Sequence, residues 1–239
     1  MATLLVIKTG TSLPSLVSRR RDYETWITTG SGFAASDVEV VSVYQDEPLP
    51  DVHGVQGVVV SGSSAMVTDR ADWSERTAAW LREAVRQEVP TLGICYGHQL
   101  LAHAMGGEVQ DNPRGRGMGT IDVELREPAR TDRLFGIFEQ TLHVPVSHRQ
   151  CVTKLPPGAT WLAQTPNDPH HAFRIGNNAW GVQFHPEFDA AIARAYIEAR
   201  REVLVREGAD VEALLDSAID SADGTILLRR FAEIVRRRV

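Results

Sequence analysis

The chain has 239 residues, 43% of them hydrophobic and 23% charged, enough to bury a large core as one domain with at most a small appendage. A formal net charge of −6 argues against a nucleic-acid binder, which carries a basic stripe, so the runs Arg19–Arg21 and Arg236–Arg238 read as a solvated loop and a helix end. Two cysteines form no disulfide framework, no run nears the ~20 apolar residues of a membrane span, and "MATLLVIKTG" lacks a charged leader and cleavage site; a soluble, cytoplasmic protein without a membrane partner is expected.

In chain order, "TLLVIK" (3–8) predicts a buried strand, "DYETWI" (22–27) a short helix, and "DVEVVSVY" (37–44) and "GVVVSG" (57–62) two more strands. Residues 72–88 place Trp73, Ala79, Trp80, Ala84 and Val85 at helical spacing behind Asp72, an expected N-cap. "TLGIC" (91–95) predicts a fourth apolar strand, followed by a helix that runs to Gly106-Gly107. Strands apolar along their whole length, alternating with helices, predict a mostly parallel, doubly wound α/β sheet. After Gly107 the pattern changes to closely spaced strands at 120–125, 141–148, 159–165, 170–175 and 179–185, an expected antiparallel edge extension. The tail predicts helices: one through "AIARAYIEARREVLVREG" closed by Gly208, one from Asp210 and one from Thr225.

Cys95 stands between Gly93 and Gly97, at the end of an apolar strand and the start of a helix. Strand, G-x-C-x-G, helix is the sequence form of a nucleophile elbow, in which a crowded turn lifts the central side chain off the sheet. The helix N-terminus favours the nucleophilic thiolate, and the backbone N–H of Tyr96 can donate to an oxyanion. A thiolate nucleophile needs a base and the base an orienting acid. "GVQFHPEF" (181–188) offers His185 and Glu187, which on an extended segment held by Pro186 would point the same way. "VVVSGSSAMVTD" (58–69) brings a strand into Gly62, whose N–H can serve as a second oxyanion donor. No metal is expected: His98 and His103 are five apart on a helix, His170 and His171 alternate faces, and no cysteine cluster accompanies either pair. Cys151 reads as packing, and Ser12, Arg19–Arg21, Trp73 and Tyr96 as a pocket that sets specificity.

"GICYGHQLLA", "QFHPEF" and "VSGSSAMVTD" together resemble the class I glutamine amidotransferases, over roughly residues 1–190. The likeness is closest to stand-alone members similar to the glutaminase domain of GMP synthase, and "PRGRGMGTIDV" (113–123) and "SHRQCVTKLPPGA" (147–159) share in it. It implies an α/β/α sandwich, a triad of Cys95, His185 and Glu187, and oxyanion donors at Gly62 and Tyr96. It further implies substrate contacts from Gln99, Ser147 and His148, glutamine or a γ-glutamyl small molecule as the substrate, and no cofactor or metal. The expected organisation is an amidotransferase domain over 1–190 with a helical extension, 191–239, packed on it.

Three activities fit: a self-sufficient hydrolase forming a γ-glutamyl thioester on Cys95, a glutaminase subunit serving a separate synthetase chain, and a non-catalytic regulatory module on the same scaffold. An intact Cys95, His185 and Glu187 set argues against the last, and an esterase would more naturally carry serine at the elbow. The sequence fixes neither the oligomeric state nor the leaving group.

Overall fold

The structure, a computed structural model, describes residues 3–238; Met1, Ala2 and Val239, the outer ends of the two expected segments, lie outside the described residues. Its strands are β1 (Leu4–Lys8), β2 (Val38–Ser42), β3 (Val58–Val60), β4 (Thr91–Ile94), β5 (Glu108–Asp111), β6 (Gly117–Leu125), β7 (Thr141–His148), β8 (Gln150–Lys154), β9 (Thr160–Gln164), β10 (Ala172–Ile175) and β11 (Ala179–Val182). Nine of them form one sheet in the order β2-β1-β3-β4-β11-β10-β9-β6-β7. The first five are mutually parallel and the rest antiparallel. This is the mostly parallel sheet with an antiparallel extension expected from the change of pattern after Gly107. The second sheet, the antiparallel pair β5–β8, has no counterpart among the predicted strands.

The helices are α1 (Pro14–Arg20), α2 (Tyr23–Ser31), α3 (Asp72–Arg86), α4 (Tyr96–Ala104), α5 (Ala190–Glu198), α6 (Arg201–Arg206), α7 (Val211–Ser217) and α8 (Asp223–Arg236). Alternation along β1 sends its side chains to both faces of the sheet. Leu5 and Ile7 pack with Val58, Val60, Leu81 and Leu100 under α3 and α4, while Leu4 and Val6 pack with Ile27, Leu228 and Phe231 under α2 and α8. None of the described helices is long and apolar enough to cross a membrane.

Several local expectations change. Asp72 is the first helical residue of α3; Ala71 is the N-cap and offers no side-chain acceptor. The last helix starts at Asp223, two residues before Thr225. The tail helix breaks at Ala199–Arg200 into α5 and α6. Ile197 and Leu204 still face one small core across that break, so hydrophobic periodicity carried no sign of it. Strand β11 ends at Val182, three residues short of His185.

Candidate active site

Gly93, Cys95 and Gly97 form the junction between β4 and α4. Cys95 has φ +51° and ψ −97°, a conformation that costs a non-glycine residue about 1–3 kcal/mol and persists only where surrounding contacts impose it. Those contacts are close. A Cβ on Gly93 would lie 2.4 Å from the carbonyl oxygen of Gly97, and one on Gly97 would lie 2.4 Å from that of Val60. The Gly97 N–H donates to the Ser61 carbonyl at 3.2 Å, tying the start of α4 to the loop after β3. Cys95 is buried, with its Sγ 3.9 Å from the Ser147 carbonyl oxygen, and it stands at the N-terminus of a nine-residue helix.

The sulfur shares its surroundings with His185. Here the extended segment expected at 185–187 is replaced by a turn: the Phe188 N–H donates to the His185 carbonyl at 3.3 Å, with Pro186 at the second position that suits proline in such turns. The His185 N–H donates to the Pro145 carbonyl at 2.8 Å, so β7 fixes the approach. The turn still brings the side chains together, with His185 Nδ1 2.8 Å from Glu187 Oε1. Burial opposes the charged imidazole, yet the Glu187 carboxylate and the Cys95 sulfur outweigh it and push the His185 pKa up to about 10. At that value His185 carries its proton at neutral pH, between the Glu187 carboxylate and the Cys95 sulfur.

Aromatic packing locks the imidazole. Phe188 stacks on it at 4.0 Å between centroids and Tyr23 at 6.4 Å. Tyr23 in turn is set by Asp22, whose carboxylate accepts from the N–H groups of Ser12 and Tyr23 and pairs with Lys8 at 2.8 Å. Gly62 lies beside the same imidazole: a Cβ there would come 2.9 Å from His185 Cε1. The Gly62 carbonyl accepts from the hydroxyls of Thr9 and Ser61, both at 3.0 Å, which fixes the peptide. Among the described residues, neither the Gly62 nor the Tyr96 N–H finds an acceptor within the chain.

A cleft of about 80 Å³ opens at the sulfur, walled by Cys95, Gln99, Ser147, Arg116, Arg149 and Arg200 among others. Gln99 is partly committed, its Nε2 donating to the Gln150 carbonyl at 2.8 Å and to Gln183 Oε1 at 3.0 Å. His148 also lines the cleft, with Nδ1 bonded to the Gln150 carbonyl; burial first, then the nearby His185 and Arg116 charges, lower its pKa to about 4. The expected specificity pocket does not assemble. Arg19 and Arg20 line a separate cavity beside Glu187, Trp73 lines another beside Asp46, and the Ser12 hydroxyl bonds Tyr196 at 2.8 Å. Only Tyr96 of that group borders the cleft at Cys95. Cys151 is buried, and burial pushes its thiol up to about 12, the opposite of an activated nucleophile.

The helical histidines face apart: His98 is fully buried against Phe173, while His103 pairs with Glu75 at the surface. A different trio, His148, Asp168 and His171, places one potential ligand atom from each within 4.8 Å of the others. It is the one group of three or more such residues among the described residues that could hold a metal ion, and sequence spacing did not reveal it because His148 comes from a different strand than the 168–171 segment. Metal–nitrogen bonds of about 2.1 Å set tetrahedral ligands about 3.4 Å apart, inside that limit. Burial holds the Asp168 carboxyl up at about 6 and His171 well below the usual imidazole range. Arg116, Arg149 and Arg200 also escaped sequence reasoning, since isolated arginines in an arginine-rich chain carry no motif.

A model of the family described as glutamine amidotransferase class-I matches residues 23–201. GMP synthase [glutamine-hydrolyzing] of Porphyromonas gingivalis is 36% identical over 187 residues, which is 77% of this chain and 33% of that protein. The chain thus spans about a third of that relative's length. A putative glutamine amidotransferase-like protein of Schizosaccharomyces pombe is 22% identical over 238 residues and 94% of each chain. The crystal structure of a glutamine amidotransferase from Thermotoga maritima superposes with a TM-score of 0.74 at 21% identity, covering 100% of this chain and 99% of that one.

Proposed function

This chain belongs to the class I glutamine amidotransferases, and from that premise we propose that it hydrolyses the side-chain amide of glutamine, or of a γ-glutamyl compound, through a thioester on Cys95. The observation that carries the reading is the buried arrangement of Cys95 in a positive-φ elbow beside a His185 that is itself held 2.8 Å from Glu187.

The steps follow from the geometry. His185 holds the proton, and Cys95 reacts as the thiolate at the N-terminus of α4, stabilised by the helix dipole and the imidazolium. The thiolate attacks the amide carbon, and the carbonyl oxygen gains negative charge between the N–H groups of Gly62 and Tyr96, which have no competing acceptor. His185 gives its proton to the departing nitrogen as the C–N bond breaks, and ammonia or an amine leaves. His185 then takes a proton from water, whose oxygen attacks the thioester; the C–S bond breaks, glutamate departs, and the thiolate beside the His185 imidazolium is restored. Glu187 holds Nδ1 throughout and stabilises the positive charge whenever His185 carries it, as the acid does in other nucleophile–histidine–acid triads. In this reading Gln99, Ser147 and His148, which border the cleft, contact the glutamyl group.

Self-sufficiency is the first form of the proposal, supported by the buried Cys95, His185 and Glu187 that this chain brings together with its own residues. A second form, an ammonia-supplying subunit for a separate synthetase, is favoured by the likeness to one third of a GMP synthase. Glutamate release by the purified chain from glutamine and γ-glutamyl peptides tests both. Release that Cys95→Ala abolishes is expected of a self-sufficient hydrolase. A chain that is silent alone and activated by a co-purifying synthetase would refute the first form and support the second. Release that survives Cys95→Ala would refute both.

A further inference from the structure

Three guanidinium groups border the cleft at Cys95, and they differ in what balances their charge. Arg116 is held by Glu207 through two bonds of 3.0 and 3.1 Å, and Arg149 pairs with Asp111 at 2.5 Å. Arg200 has no such partner: among the described residues it forms no ion pair, and its one hydrogen bond is a 3.4 Å contact from Nη1 to the Tyr196 carbonyl. It is half-buried, and its Cζ sits 4.8 Å over the Tyr196 ring. That ring is a fixed platform, because the Tyr196 hydroxyl bonds both Ser12 at 2.8 Å and Tyr23 at 2.7 Å. The break between α5 and α6 falls at Ala199–Arg200, so this side chain leaves from the turn itself.

A partly desolvated guanidinium without a carboxylate is unfavourable unless a ligand supplies one. Its planar fork matches a carboxylate in particular. The cleft it shares with Cys95 is about 80 Å³, room for a small group. Beyond Arg116 and Arg149, which wall both spaces, lies a larger cavity of about 510 Å³ that is also bordered by Asp111 and Glu207. The carboxylates in that outer cavity already face arginines, which leaves Arg200 as the uncompensated cation on the inner wall.

We propose that Arg200, braced on Tyr196, binds a carboxylate of the γ-glutamyl donor in the cleft beside Cys95. The proposal rests on the hydrolase reading for the identity of the donor. Two carboxylates have this chemistry: the α-carboxylate of the glutamyl group, and one carried by the leaving group of a γ-glutamyl peptide.

Binding can be read without turnover by calorimetric titration of Cys95→Ser, alone and combined with Arg200→Met or Arg200→Lys. The ligands are glutamine, with an α-carboxylate only; glutamine α-amide, with none; and γ-glutamylglycine, with both. Loss of a charged hydrogen bond to a carboxylate corresponds to a weakening of about 10- to 100-fold. Arg200→Met is expected to weaken glutamine by that factor and the α-amide far less, with Arg200→Lys recovering part of the loss. A large loss confined to γ-glutamylglycine would support the proposal with the leaving group as the source. Equal losses for all three ligands, no loss for any, or no binding of any to Cys95→Ser would overturn it. Glutamate release by the unaltered chain, measured in parallel, separates the two ideas: absent turnover with Arg200-dependent binding sinks the hydrolase reading and leaves the carboxylate site standing.

Discussion

Residue by residue, the proposed chemistry turns on how Glu187 sets the charge of His185. Glu187→Gln keeps the size and an acceptor for Nδ1 but removes the negative charge. If the chain hydrolyses glutamine, kcat should fall by about two to four orders of magnitude, as for the equivalent change in other triads. Stability gives a second readout. The folded-state pKa of His185 is raised to about 10 over the ordinary 6.5, so its contribution is fully present below pH 6.5 and is lost as pH rises through about 10. Urea unfolding of the parent chain should show stability declining from pH 7 to pH 10, and Glu187→Gln should flatten that decline. An equally steep decline in the variant would mean that the pair does not govern the His185 charge. The motifs made Cys95, His185 and Glu187 legible because each chemical type had a fixed local spacing. Arg200 and the pairing of His148 with the 168–171 segment were not legible, because each meets its neighbours only through the fold.

Among the elements, legibility followed burial. The strands β1, β3 and β4 are buried at every residue, and such apolar runs stand out in a sequence. Strand β5, with the sequence EVQD, exposes Glu108, Gln110 and Asp111 and half-buries Val109, so nothing in its composition separates it from a loop; pairing with β8 creates it. Helix α1 was missed for a related reason, since Leu16 is its one buried residue. The beginning of α3 was misread by one residue because Asp72 and Ala71 both precede the periodic stretch. That misreading yields a test. Ala71 is the N-cap and offers no side-chain acceptor to the first turn, so Ala71→Ser should stabilise the chain by about 0.5–1 kcal/mol in chemical denaturation. A destabilised variant would place the helix start elsewhere.

Across the whole molecule, the change from parallel to antiparallel pairing falls at β11, next to the strand that carries Cys95. The elbow belongs to the parallel half, whereas Ser147, His148 and the approach to His185 depend on β7 at the antiparallel edge. Closing the site therefore requires both halves of the sheet and the C-terminal helices that cover them. Helix α8 buries Leu227, Leu228 and Phe231 completely, with Phe231 edge-on to Trp180 of β11. Phe231→Ala should cost about 3–5 kcal/mol and lower the thermal midpoint of the whole chain in one transition. Two separate transitions would instead mean that the expected extension over 191–239 folds on its own.

The central claim is that Cys95 carries a covalent γ-glutamyl group during turnover. The most direct measurement is acid quenching of the chain during steady turnover of glutamine, or of a γ-glutamyl peptide that it hydrolyses, followed by peptide mass spectrometry. The expected result is a mass gain of one glutamyl group on the peptide containing Cys95, lost on treatment with hydroxylamine and absent from Cys95→Ala. Turnover without any adduct in Cys95→Ala, or a glutamyl group on Cys151, would contradict it.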